Sequence, residues 1–227
     1  MSYKVPINSS TLTLKGVDDR IQSIQALMTS SLSWLNKSFG LSDRIVKMVN
    51  DKPYIFPATF ESNVKDPIPL MPGDVWGAYC FWIKDGEAKF ELKDNFPPRV
   101  AMTVYNVSCL FYMDIKKIDN VHTYKETKSK LIEDIFHFFE NVHINGQLVP
   151  LKFIEDDITE VFKGFTIDQI DNKWKMYPKW ACRMDFELTL WGDCYSTNSY
   201  TLTGPGHYTA DDTSVTVDDT NIYADNE

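Results

Sequence analysis

The sequence predicts an α+β fold: an antiparallel β-sheet with a long central strand and a hairpin, packed by two amphipathic helices and followed by an extended C-terminal arm. Three observations carry this. The segment RVAMTVYNVSCLFYMDIKKI, residues 99–118, alternates β-branched and aromatic side chains over far more than the usual strand length of about 5–6 residues. HTYKETKSKLIEDIFHFFENV, residues 122–142, repeats apolar side chains at helical spacing. From residue 184 to the last residue, 227, there is no Lys or Arg but there are nine Asp or Glu.

Taken in chain order, Asp18 or Asp19 is placed to cap a first helix whose apolar stripe is Ile21, Ile24, Leu27, Met28, Leu32 and Leu35, with Gly40 to end it. Residues 41–60 read as strand around a turn at Asn50-Asp51. Pro53, Pro57, Pro67, Pro69 and Pro72 remove ladder donors, which predicts an edge strand and then a long loop. GAYCFWIKDGEAKFELK, 77–93, reads as a hairpin turning at Asp85-Gly86, because that dipeptide suits a two-residue turn. In the long segment the odd positions, Ala101 to Ile115, form an almost unbroken apolar face and predict a core side. The even positions are mixed and predict a wetter one. Thr123 with Glu126 spells a capping box for the second helix, whose broad apolar face is Leu131, Ile132, Ile135, Phe138, Phe139 and Val142. Asn145-Gly146 turns into a short apolar segment, and Asp156 and Asp157 are placed to open a short helix within an irregular stretch to 179. WACRMDFELTLW, 180–191, alternates cleanly as a half-buried strand. Beyond Gly192 the chain is rich in Thr, Ser and Asp, with one β-prone patch at Val215–Val217. The expected division is one α+β domain over 1–192 and an acidic extension over 193–227.

Charge and motifs narrow the function. The net charge is −9, and residues 1–183 carry 23 acidic and 23 basic side chains, so the C-terminal part holds the whole surplus. No cluster of Lys and Arg suited to gripping phosphate is present. No apolar run approaches the roughly 20 residues of a membrane span, and the N-terminal residues lack a secretory pattern, so a soluble protein made in the cytoplasm is expected. Cys80, Cys109, Cys182 and Cys194 are scattered, and the first three lie in strand-like segments, which predicts buried free thiols. His122, His137, His143 and His207 match no metal spacing, no nucleophile elbow occurs, and Gly204-Pro205-Gly206 is a bend with no following Lys-Thr. The expectation is no catalytic residue, no metal and no cofactor. Two other readings compete. Trp76, Trp82, Trp174, Trp180 and Trp191 are compatible with a glycan-binding module for host attachment. Asp114, Glu133, Asp134, Glu155, Asp156 and Asp157 are compatible with a carboxylate-dependent hydrolase, although Glu133 and Asp134 follow Lys130 at the spacing of a solvated helix face.

The stretches WLNKSFGLSDRIVKMVNDKPYIFPATF and GDVWGAYCFWIKDGEAKFE, together with the long strand and KETKSKLIEDIFHFFENV, resemble the ring-forming neck and tail proteins of tailed bacteriophages. The likeness is to the tail-terminator or head-tail connector type, similar to those of crAss-like phages, and spans about residues 15–192. It implies a virion structural protein assembled in the host cytoplasm as a homo-oligomeric ring, a hexamer or dodecamer. It also implies neighbouring portal, connector or tail proteins and DNA that passes through the lumen without specific binding. Closed rings need heterologous contacts, in which one patch meets a different patch on the next copy. The end of the long strand (Tyr112, Asp114, Lys116) and the arm (Val215, Val217, Tyr223) are the expected interface residues.

Overall fold

The computed structural model describes residues 16–49, 51–59, 67–73, 75–93, 100–142, 144, 146–155, 157–168, 170–191, 201–202 and 208–209. The chain divides into two compact units, 1–192 and 193–227. The first is mixed α+β, with a seven-stranded sheet ordered β3-β2-β1-β4-β5-β7-β6. Its elements are α1 (Val17–Ser31), β1 (Lys37–Val49), β2 (Lys52–Thr59), β3 (Ile68–Pro69), β4 (Ala78–Lys93) and β5 (Val100–Asp114). After these come α2 (Ile115–Ile118), α3 (Tyr124–Asn141), β6 (Gln147–Glu155), α4 (Ile158–Val161), a 3-10 turn at Asn172–Trp174, and β7 (Lys179–Trp191). In the second unit the described residues form β8 (Thr201–Leu202) paired antiparallel with β9 (Tyr208–Thr209).

α1 starts after Gly16, whose φ of 63° suits a residue with no Cβ, and no side chain caps it. Asp18 and Asp19 lie instead in the first turn, where carboxylates complement the helix dipole. The helix ends at Ser31, not near Gly40, which lies inside β1 where the β1–β4 register shifts. Leu32 and Leu35 are buried from an irregular connection, while Leu27, expected on the buried stripe, is exposed. β1 and β2 form the hairpin expected at Asn50-Asp51, with Val49 opposite Lys52 and Asp51 at φ 59°. Asp tolerates that left-handed conformation better than most side chains.

Asp85-Gly86 is not a hairpin turn. β4 continues through it, pairing Asp85 with Asn106 and then Lys89 with Val104, so β4 carries two extra residues there as a bulge. Gly86, at φ 71°, absorbs the distortion. A left-handed Gly serves a bulge as readily as a turn. The partner strand decides between them, and β5 supplies partners on both sides. The sheet is also not wholly antiparallel, because β1 runs parallel to β4 from Lys37↔Tyr79 to Ser42↔Ile83.

α3 begins with the capping box that the sequence spells: the Glu126 amide donates to Thr123 Oγ1, and the Thr123 amide donates to Glu126 Oε2. Its apolar side covers one face of the sheet. The Phe139 ring lies 6.1 Å from Trp82 and 4.6 Å from Phe186, and Trp34 Nε1 donates to Asp134 Oδ2 at 3.0 Å. α1 sits beside β1, where the Gln25 side-chain amide donates to the Ser38 carbonyl.

The opposite face was expected to be wet, and over much of its length it is not. Leu110 and Tyr112 of β5 are buried in a second core with Tyr79, Phe81 and Ile83 of β4 and Ala181 of β7. The segment after β6 closes it, with Val161, Phe162, Phe165 and Ile167 packing down on the sheet. Every residue of β5 from Val107 to Asp114 is consequently buried. Thr166 anchors this cover to the outer edge of β2: its amide donates to the Ile55 carbonyl, and its Oγ1 accepts from the Ile55 amide. Each large apolar side chain removed from water here contributes about 1.5–3 kcal/mol, so the cover is a true second core. At the far edge of the sheet, Pro150 sits in β6, where a missing donor is tolerated, next to a one-residue bulge at Leu151.

Candidate functional site

The structure places the sequence-nominated residues in three different settings. Tyr112 is fully buried, and its hydroxyl donates to the Trp174 carbonyl at 2.8 Å. Asp114 is buried beside Lys179 in an ion pair. Tyr112 is taken up by the second core and Asp114 by Lys179, so neither side chain is exposed in the single chain. Lys116 is exposed, with its ammonium 5.1 Å from the centre of the Tyr177 ring. Val215, Val217 and Tyr223 lie outside the described residues.

The exposed apolar surface arises where the sheet splits. β1 accompanies β4 only as far as Ser42↔Ile83. From Asp43 onward β1 pairs only with β2, and β4 from Lys84 onward pairs only with β5. Beyond Ser42 the β1–β2 ribbon therefore has no ladder to β4, and Arg44 keeps a side-chain bond to Asp85. Along the ribbon, Val46 lies opposite Ile55 and Met48 opposite Pro53, so these residues share one face. Val46 and Met48 are each 62% exposed. In the run Ile45–Val49 one face carries Val46 and Met48 and the other carries Ile45 and Val49 on either side of Lys47, more apolar side chains than a sheet with one buried face requires. Phe90 on β4 and Leu151 on β6 are also exposed.

A polar lattice that the sequence did not reveal crosses four strands at the border of the second core. Arg183 of β7 donates to Asp85 Oδ2 at 2.7 Å, to Ser108 Oγ at 2.9 Å and to Asp185 Oδ1 at 2.5 Å. Arg44 of β1 donates to Asp85 Oδ1 at 2.5 Å. Ser108 Oγ is 2.7 Å from both carboxylates, so its single proton serves one of them at a time. Two guanidinium groups and two carboxylates balance, and the Arg44 group also lies 5.6 Å from the Phe165 ring centre. Such a lattice ties the strands together at the point of splitting and leaves no unmatched base or nucleophile.

Other chemistry is sparse. Burial holds the thiols of Cys109 and Cys182 well above the ordinary range, so they are protonated and poor nucleophiles. Among the described residues no group of three or more His, Cys, Asp or Glu is arranged to hold a metal. Among the described residues Trp82 and Trp180 are buried and Trp34, Trp76, Trp174 and Trp191 are half-buried. Asp114, Glu133 and Glu155 do not converge. Asp114 pairs with Lys179, Glu155 pairs with Lys128 at 3.0 Å, and Glu133 is exposed on α3. A groove of about 570 Å³ lies between the end of α1 and α3 and is lined by Trp34, Asp119, Thr127, Asp134 and His137, among others. Among the described residues no helix is long and apolar enough to cross a membrane. Comparison with protein-family models and with curated proteins finds no match for the chain.

Proposed function

We propose that this protein is a structural component of a tailed-bacteriophage virion, a ring subunit of the tail-terminator or head-tail connector type. The observation that carries the reading is the ribbon formed by β1 and β2 beyond Ser42, with Val46 and Met48 exposed on one face. Exposed apolar side chains grouped on one face of a strand mark a contact surface more often than a solvent-facing one. In this reading 1–192 is the ring-forming domain. Its sheet, with the long strand β5, is packed by the amphipathic helices α1 and α3. Residues 193–227 are an acidic extended arm laid on an adjacent copy, with Val215, Val217 and Tyr223 among its contacts.

The ribbon of one copy meets a different patch of the next, which is the heterologous geometry that closes a ring. Portal, connector or tail proteins lie above and below, and DNA passes through a lumen without specific contacts. The body carries no surplus of positive charge with which to grip a phosphate backbone. Chemistry at a catalytic centre plays no part in this role. Negative-stain microscopy of the purified chain, together with antibody labelling of purified particles, tests the proposal. Rings, or labelling at the neck or tail of the particle, are the expected result. A chain that remains single in solution and is absent from particles overturns it.

A further inference from the structure

A strand edge with open backbone groups is a template for another strand, and proteins guard such edges with Pro, charges or bulges. Most open edges of this sheet are guarded. β6 carries Pro150, Lys152 and the bulge at Leu151. The outer side of β2 carries Pro53 and Pro57 and is tied to Thr166 at Ile55. Past Lys84, β4 carries its own bulge and then the exposed charges Glu87, Lys89 and Glu91. β1 differs. Past Ser42 its side facing away from β2 has no ladder among the described residues. After Arg44, which Asp85 holds, the run to Val49 carries the single charge of Lys47 among Ile45, Val46, Met48 and Val49. Lys47 and Lys52 are exposed, and neither has an ion-pair partner among the described residues.

We infer that this open edge of β1 accepts residues 213–218 of a second copy of the chain as an added β-strand. Four of the five residues Thr213-Ser214-Val215-Thr216-Val217 are β-branched, the type that favours a strand, and no Pro or Gly lies between His207 and Glu227. Val215 and Val217 are two apart, as are Val46 and Met48, so one face of the added strand sets apolar side chains beside apolar ones. Asp211, Asp212, Asp218 and Asp219 bracket the segment. Two such segments repel each other, whereas Lys47 and Lys52 attract one, with Asp43 and Asp51 standing only at the ends of the receiving stretch. In strand addition the main chain supplies affinity and the alternating side chains supply specificity. Edge and segment are unlike patches of one chain, so the contact runs head to tail from copy to copy. The inference rests on the ring reading, which it deepens by naming the edge that receives the arm and how it binds.

The test uses the full chain. Hydrogen exchange, read by mass spectrometry at a low and a high protein concentration, is expected to show the amides of 43–49 and of 213–218 slowed about tenfold at the higher one. Val215→Asp/Val217→Asp is expected to abolish the slowing at 43–49 while exchange in α3 stays unchanged, which shows that the fold is intact. Val215→Ile/Val217→Ile is expected to retain it. Equal amounts of unlabelled and ¹⁵N-labelled protein, mixed and treated with a carbodiimide, are expected to give links from Lys47 or Lys52 of one isotopic form to an acidic residue within 211–219 of the other. Slowing that does not depend on concentration, with links confined to one isotopic form, puts the segment on its own copy and overturns the inference. Slowing at 43–49 that survives Val215→Asp/Val217→Asp, or no slowing at either stretch, overturns it as well. Particle labelling decides the ring reading separately, so rings that form with Val215→Asp/Val217→Asp refute strand addition and leave that reading standing.

Discussion

Asp114 and Lys179 form a buried ion pair between the end of β5 and the start of β7, with side chains 7% and 8% exposed. Removing one partner strands the other charge away from water, at a cost of about 3–5 kcal/mol. Lys179→Met keeps most of the packing volume under the Trp174 ring and leaves the Asp114 carboxylate uncompensated. Asp114→Leu leaves the ammonium in the same position. The pair is itself imperfect, because Asp114 Oδ1 has no partner among the described residues, so part of the desolvation cost is not offset. The Asp114 side chain also makes no capping bond to α2. The double variant Asp114→Leu/Lys179→Met is therefore expected to match the parent or exceed it by about 1–4 kcal/mol. Urea denaturation followed by tryptophan fluorescence measures this. With slopes of about 2–3 kcal/mol/M, each single variant is expected to lower the midpoint by roughly 1–2 M, with the double variant restoring it. If the double variant loses the sum of the two single losses, the groups are not coupled and the buried pair is not as described.

Further outcomes follow from the same geometry. Thr123→Ala removes the hydroxyl half of the capping box and is expected to cost about 1 kcal/mol, with hydrogen exchange accelerated at the first turn of α3 and not at its end. Phe162→Ala, in the cover over the second core, is expected to cost about 3–5 kcal/mol. A loss under 1 kcal/mol in urea denaturation would show that the segment is only loosely applied. Cys109 and Cys182 are expected to resist alkylation at pH 8 in the native protein and to react once urea unfolds it, as read by intact mass. Asp119 is held at about 2 by the Val121 amide and then the His122 ring, and Glu126, Asp157 and Asp171 are lowered by donors of their own turns. Because these groups ionise more readily folded than unfolded, their contribution is complete above the ordinary carboxylate range near 4. It is lost as the pH falls toward 2. Asp119→Asn is expected to flatten the acid limb of a stability-against-pH curve, and an unchanged limb counts against that turn.

Which features were legible in the sequence depended on the range of the interaction responsible. Thr123-x-x-Glu126 reads directly as a capped helix start because donor and acceptor sit within one turn of backbone. The β1–β2 turn and the short helix after Asp157 are local in the same way. Asp85-Gly86 misled because its local geometry serves two purposes, and only the register against β5, set by residues up to 28 positions away, separates a turn from a bulge. The lattice of Arg44, Asp85, Ser108, Arg183 and Asp185 joins four strands. Its single local trace is the i, i+2 spacing of Arg183 and Asp185 on one face of β7. Tyr112 and Asp114 were nominated as contact residues because alternation shows one buried face and says nothing about what later segments lay over the other.

The amino-acid order alone determined the mixed α+β class, the capped second helix, the presence of a final strand in the body and the concentration of acidic charge beyond residue 184, although Ala181, Arg183 and Thr189 are buried where alternation predicted a wet face. Each is a matter of spacing along the backbone or of composition. Tertiary structure alone decided that β1 lies parallel to β4 and leaves it at Ser42, and that residues 158–167 shut the second face. It also decided that the exposed apolar surface falls on Val46 and Met48 and not at the end of β5. Those outcomes depend on which distant segments compete for the same apolar area, and pairwise burial across the sheet is a property of the folded chain that no window of sequence contains.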